Sequence, residues 1–338
     1  MTDPIDIKTK FKVVKASEVL FSKSSVNEVL SKSLSFSWHL WGQFQQVWIG
    51  NAYNTFKDHD KYLVLIYLVQ DIWQSLSDKF TYNTLEEFYS KNEFIIEKIN
   101  LIKISNDLHI PKETVRRKIN EFQKAGILRR EGKSIILKIS LINFQRPMKS
   151  LEIIVNYIYK NSLFLQTEQW FGDPLTREEI NFFIEKYFTI CWLRFFKLQI
   201  PFLVRQRNVF GDLETFQIWG SIAVNHQSKV TREVMQNVID QPVDTQYTEV
   251  VSKAKVQYGL NASSVSDITK IPRATVIRKL KWLVNKNLLK KNNKLQYFMD
   301  NSGNLNKKIS LNFLKNREAA NSFLTDIFDL IKNSNFKI

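Results

Sequence analysis

Apolar and polar residues alternate with a helical period along much of the chain, and one stretch shows the pattern most clearly. From Pro111 onward Val115, Ile119 and Phe122 fall on one side of a helix, while Lys112, Glu113, Arg116, Arg117 and Lys118 take the other positions. Such spacing predicts an amphipathic helix with a mostly basic outer side. Just upstream, Ile104 and Leu108 stand four apart, and Ser105 is placed to cap or begin a short helix. Pro111 separates the two helices: its missing N–H costs nothing in a first turn, and it turns Ile110 away from helical angles. Gly126 suits the helix end, where left-handed backbone angles are needed. Ile127-Leu128-Arg129-Arg130, a turn at Glu131-Gly132 and Lys133-Ser134-Ile135-Ile136-Leu137 then read as a β-hairpin.

The same pattern returns 161 residues later. Ser105 to Lys118 aligns without a gap on Ser266 to Lys279, Pro111 falling on Pro272, and the match continues with Ile127-Leu128-Arg129-Arg130 over Leu288-Leu289-Lys290-Lys291. Asn287, the usual second choice for a left-handed helix end, stands in place of Gly126. Asn292-Asn293 takes the place of the hairpin turn, followed by Lys294 to Phe298. Upstream, more faintly, Asp60 to Ser75 resembles Asp212 to Ser228 at a separation of 153 residues, each with an Ile-Trp pair (Ile72-Trp73, Ile218-Trp219). The change of separation implies an insertion in the second copy, a surface loop around Asp240 to Tyr247. Helical patterns follow each hairpin, at Met148 to Leu163 and at Lys308 to Ile331. Internal repetition of this length makes duplication the organising feature. The expected fold is mainly α with short β-hairpin wings: two tandem units, 15–165 and 175–334, each flanked by helices and paired as an intramolecular pseudo-dimer.

The run Pro111-x-x-Thr114-Val115-x-Arg117-Lys118 with Gly126-Ile127-Leu128-Arg129-Arg130, and its partner Pro272-x-x-Thr275-Val276-x-Arg278-Lys279 with Asn287-Leu288-Leu289-Lys290-Lys291, resembles the bacterial winged helix-turn-helix regulators of the MarR-like and GntR-like kind. The resemblance covers about 40 residues in each half. It implies sequence-selective binding of double-stranded DNA, with a recognition helix in the major groove of each half-site. By position, Lys112, Glu113, Thr114 and Arg116 are the base readers of the first unit, and Arg273, Ala274, Thr275 and Ile277 those of the second, so the half-sites differ. Arg117, Lys118, Arg278 and Lys279 flank the helix and suit phosphates. Arg129, Arg130 and Lys133 in one wing, and Lys290, Lys291 and Lys294 in the other, reach backbone or minor groove.

Charge agrees with a polyanionic partner. The 338 residues carry 49 Lys plus Arg against 33 Asp plus Glu, a net charge of +16. A membrane is the rival polyanionic surface, but Tyr62 to Val69 is too short to span one and Tyr187 to Val204 is interrupted by Arg194 and Lys197, so both are expected to be buried helices. The start Met1-Thr2-Asp3-Pro4 lacks a secretory pattern, and the expected location is the cytoplasm, at the nucleoid. Cys191, the single cysteine, lies between Ile190 and Trp192 and is expected to be an inert core thiol.

Catalytic chemistry finds no foothold, and no enzyme activity, cofactor or metal is expected. Gly132-Lys133-Ser134 resembles the tail of a phosphate-binding loop, but Ile127 stands where that loop needs glycine, so it reads as a wing turn. His39, His59, His109 and His226 show no metal-ligand spacing, and Glu86-Glu87 and Glu178-Glu179 read as solvated helix faces. The aromatic clusters Phe36, Trp38, Trp41, Phe44 and Trp48, and Phe182, Phe183, Tyr187, Phe188, Trp192, Phe195 and Phe196, leave three readings open: a core between the halves, a homodimer seam, or an apolar effector pocket. The function expected is transcriptional regulation, as a repressor reading two unlike half-sites. The alternatives are a replication initiator, a class that also joins two winged helices, and a scaffold whose winged helices bind protein.

Overall fold

A computed structural model describes Leu30 and residues 34–96, 99–132, 134–138, 148–167, 175–236, 259–300 and 302–333. Among these residues there are twelve helices and two small antiparallel sheets. Helices α1 (Leu34–Phe56) and α2 (His59–Asp78) lead into the short α3 (Leu85–Ser90), strand β1 (Glu93–Ile96), helices α4 (Leu101–Leu108) and α5 (Lys112–Lys124), and strands β2 (Leu128–Glu131) and β3 (Ser134–Lys138). Helices α6 (Met148–Thr167), α7 (Arg177–Lys186), α8 (Phe188–Phe210) and α9 (Leu213–Gln236) follow. Strand β4 (Leu260–Asn261), helices α10 (Ala262–Thr269) and α11 (Arg273–Asn285), strands β5 (Leu289–Lys291) and β6 (Gln296–Met299) and helix α12 (Leu305–Asn333) complete the described elements. The sheets have the orders β1-β3-β2 and β4-β6-β5.

The long helices pack crosswise: α1 lies against α9 and α6, α2 against α8, and α8 also against α12. Their buried faces meet through aromatic rings. Trp41 meets Phe202 edge-on at 5.2 Å between centroids, Trp48 meets Phe195 at 4.6 Å, and Trp73 meets Phe196 at 4.9 Å. These rings stand more than 120 residues apart in sequence, so the aromatic helices form a shared core; Phe182 is the exception, half exposed on α7. Phe36 and Trp38 lie on α1, but their side chains fall outside the described set. Rings of this size each bury a large apolar area and prefer such offset and edge-on geometries.

One polar pair sits inside this apolar layer. Gln45 on α1 and Gln199 on α8, 154 residues apart, exchange reciprocal hydrogen bonds of 2.8 and 2.9 Å, and both are buried. Two amides that each donate to and accept from the other give every carbonyl oxygen a partner and every amide nitrogen one, which lowers the cost of their burial.

Several expectations need correction. The upstream alignment at 153 residues is displaced: Asp58 and Asp212, the carboxylates that accept from the backbone N–H three residues on (Lys61 and Thr215), are separated by the 154 residues of the glutamine pair. Glu87 and Glu179 do more than face water, because each closes a capping box with Thr84 or Thr176 and so fixes the start of α3 or α7. Asn100, rather than Ser105, caps α4. The second hairpin turn is longer than Asn292-Asn293; it runs from Asn292 to Leu295, with Leu295 left-handed at φ 58°. The expected insertion at Asp240 to Tyr247 and the wing residue Lys133 lie outside the described residues.

Tyr62 to Val69 and, from Phe188, the stretch to Val204 are helical and largely buried, with Tyr187 at the break before it. No single helix among the described residues is long and apolar enough to cross a membrane, although α7 and α8, bent by 97°, pass by length and composition as a pair. Most of α8 is buried against protein. Cys191 is buried, and burial pushes its thiol up to about 12. A group with that ionisation is almost wholly protonated near neutrality and chemically quiet.

Candidate nucleic-acid interface

Helices α4 and α5 meet through a turn that both backbone and side chains define. His109 ends α4 in the left-handed region at φ 52°, and the Ser105 hydroxyl donates to the Ile110 carbonyl at 2.7 Å. Pro111 then starts α5, whose Val115, Ile119 and Phe122 are buried. Gly126, at φ 71°, ends it and turns the chain into β2. In the other segment Lys270 is left-handed at φ 59°, the Ser266 hydroxyl donates to the Ile271 carbonyl at 2.7 Å, and Pro272 starts α11 with Val276, Leu280 and Leu283 buried. Asn287, at φ 52°, ends α11. Helices α4 and α10 have 8 residues each, and α5 and α11 have 13 each.

In the N-terminal half of α5 the exposed side chains are Lys112, Glu113, Arg116 and Arg117, with Thr114 half-buried; Asn120 and Lys124 are exposed further on. Arg116 is held by Glu113 three residues before it, at 2.7 Å through Nη2 and 2.8 Å through Nε, so its charge is locally offset. Lys112 and Arg117 have no carboxylate partner among the described residues. On α11, Arg273 donates to the Ser263 hydroxyl at 3.2 Å, Ala274 and Arg278 are exposed, and Thr275 and Ile277 are half-buried. Arg278 likewise has no acidic partner among the described residues.

Two of the expected phosphate contacts are placed elsewhere. Lys118 is buried, 6% exposed at its side chain, and its ammonium is paired with Asp58 and, at 3.1 Å, with Glu121. Lys279 is 12% exposed and paired with Asp212 at 2.6 Å, donating also to the Thr215 hydroxyl at 3.0 Å. The reason is geometric: both sit on the side of their helix that faces the start of a long helix, where a carboxylate caps the first turn. Burial alone would raise the Asp58 carboxyl, but hydrogen bonds from Lys118 and the Lys61 backbone outweigh it and hold the group below its ordinary range. Asp212 is lowered against burial in the same way, by Lys279 and Thr215. These lysines dock the helices and are not free charges.

The wings differ in how much charge they leave free. Arg129 is shared between Glu93 at 3.5 Å and Glu131 at 2.8 Å, and Arg130 donates to the Gly132 carbonyl at 3.3 Å. In the second wing Lys290 pairs with the buried Asp300 at 3.4 Å and Lys291 lies 5.8 Å over the Tyr297 ring. Lys294 is exposed at the turn.

Around the helix turns the structure gathers residues that the sequence pattern did not single out. Arg207 of α8 holds Asp60 through both carboxylate oxygens at 3.0 and 3.3 Å and donates to the His109 carbonyl at 2.7 Å. Asn208 meets the His109 imidazole. His59 is fully buried, and burial pushes its imidazole down to about 4, so it is neutral near pH 7 and lies 2.9 Å from the Gln217 carbonyl oxygen. The visible signal for such residues is a polar side chain at a core-facing position of an apolar helix, as Gln45 is between Phe44 and Trp48. No group of His, Cys, Asp and Glu that could hold a metal ion occurs among the described residues. Comparison of the chain with known protein families, with curated proteins and with solved structures yields no match in any of the three.

Proposed function

We propose that the chain is a double-stranded DNA-binding protein built from two winged helix-turn-helix units, α4-α5 with β2-β3 and α10-α11 with β5-β6, related by an internal pseudo-two-fold. The observation that carries this reading is the agreement in detail between the two segments. Equal helix lengths, a left-handed residue before each proline, a serine bonding to the carbonyl before that proline and a lysine docked on an N-terminal carboxylate all occur in both. The reciprocal Gln45–Gln199 pair lies where a two-fold would relate each residue to the other. Exposed basic residues then remain at the N-terminal half of α5 and α11, the part of a recognition helix that meets base edges.

In this arrangement Arg117 and Arg278 contact phosphates, and Lys112, Glu113, Thr114 and Arg116, against Arg273, Ala274, Thr275 and Ile277, read bases. Glu113 and Arg116 act as one unit, since the carboxylate orients the guanidinium before DNA arrives. The activity proposed is transcriptional regulation, as a repressor, at an operator with two unlike half-sites. A replication initiator shares the same architecture and would bind several repeated sites, whereas a scaffold would bind DNA weakly and without sequence preference.

The test is binding of a mixed-sequence duplex by fluorescence anisotropy across a salt series. Arg117→Ala and Arg278→Ala should each weaken binding and lower the slope of log affinity against log salt by about one. Unchanged slopes in both variants would show that these helices do not face DNA.

A further inference from the structure

We propose that the turn of each helix-turn-helix unit is held by residues of the opposite half, so that the spacing between the two reading heads is fixed by a polar clamp in the seam. The inference rests on the DNA-binding reading for its consequence but not for its geometry. The first unit is held directly. Arg207, on α8 of the second half, spans two acceptors, the Asp60 carboxylate on α2 and the carbonyl of His109 in the turn between α4 and α5. Asn208 beside it takes the His109 ring. Arg207 is largely buried and Asp60 about three-quarters so, with side-chain exposures of 16% and 25%, and a bidentate guanidinium–carboxylate pair fixes direction as well as distance.

The second unit is held through one intermediary. His59, at the start of α2 in the first half, is neutral, and its Nε2–H donates to the Gln217 oxygen on α9; Gln217 Nε2 in turn donates to the Thr269 carbonyl at 3.2 Å, at the end of α10. All three residues are buried. Both helix turns are therefore tied to the central helices across the seam, and the reading heads move with the core rather than on hinges. For DNA that places Arg207 and His59 as positioning residues: they touch no base, and they decide which separation of half-sites is accepted.

The experiment uses the full chain with spin labels on Lys124→Cys and Asn285→Cys, exposed positions near the ends of α5 and α11, and leaves the buried Cys191 in place. Double electron–electron resonance should give one narrow distance distribution. Arg207→Lys keeps a charge beside Asp60 but is too short in reach and too simple in geometry to span both acceptors; it and the milder Asn208→Ala should broaden or split that distribution while thermal unfolding stays cooperative. On duplexes that carry the selected half-sites at stepped spacings, the parent should prefer one spacing at least tenfold, and Arg207→Lys should accept neighbouring spacings with the half-site sequences unchanged. A broad distribution in the parent, or distributions unaltered by both variants, overturns the clamp. If the parent selects no half-sites, the DNA-binding reading fails, and the distance measurement still decides the clamp on its own.

Discussion

Replacing Lys118 separates docking from the proposed DNA contact on a single helix, because its neighbour Arg117 is exposed. Lys118 is 6% exposed at its side chain and its partner Asp58 is 32% exposed. Removing one member of a buried pair costs about 3 to 5 kcal/mol when the other charge is left stranded, and the partial exposure of Asp58 reduces this to about 2 to 3 kcal/mol for Lys118→Met. Methionine keeps the apolar stem, so the loss reports the ammonium. Arg117→Ala, on the exposed face, should change stability by no more than about 0.5 kcal/mol. Urea unfolding followed by tryptophan fluorescence reads the first effect, and duplex binding across a salt series reads the second: Arg117→Ala lowers the salt slope by about one while Lys118→Met leaves it unchanged. The pH dependence gives a further check. Asp58 is lowered on folding, so its stabilisation is present above its ordinary 3.8 and is lost as pH falls through the folded value; Lys118→Met should shrink that acid-side loss. If Lys118→Met left stability intact and lowered the salt slope as Arg117→Ala does, Lys118 would be a free charge and not a dock for the helix.

The seam allows three shorter predictions. Gln45→Leu or Gln199→Leu alone strands a buried amide and should destabilise the fold by about 1 to 3 kcal/mol, while the double variant recovers most of the loss, a coupling that a double-mutant cycle in urea would reveal. Glu214 is pushed up to about 7, chiefly by burial, with the Asp212 and Asp60 carboxylates adding to it. A raised carboxyl stabilises fully below its ordinary 4.5 and loses that contribution as pH rises to about 7, so Glu214→Gln should gain stability over the parent at pH 8, by at most about 3 kcal/mol, and gain little at pH 4. Cys191 should resist a thiol reagent in the folded protein and react at once in denaturant; rapid labelling of native protein would contradict its burial.

The local design of α4, α5, α10 and α11 was legible in the sequence, because apolar spacing, two prolines and the Gly126 and Asn287 helix ends are short-range signals. The exposed arginines followed from the same helical period. Lys118 and Lys279 were misplaced for a physical reason: a lysine at the flank of an amphipathic stripe can reach either water or a carboxylate on a neighbouring helix, and only tertiary packing decides which. Asp58 and Asp212, 60 and 67 residues upstream of their lysines, gave no local hint of that pairing. The strands β1 and β4, the capping boxes at Thr84 and Thr176, and the Arg207 clamp were missed likewise, the strands because they are short and the clamp because its members lie far apart in sequence. That the aromatic helices pack as a core between the halves was visible only once Trp41, Trp48 and Trp73 were seen against rings from α8.

Selection from a random double-stranded library with the unmodified protein decides the proposal that two winged units in one chain read two unlike half-sites. Two such units should enrich a single bipartite sequence whose halves differ, centred about 10 base pairs apart or a multiple of that if both units face one side of the duplex. A library that emerges with no enriched sequence, and binding that vanishes at moderate salt, would contradict it and point to winged helices that bind protein instead.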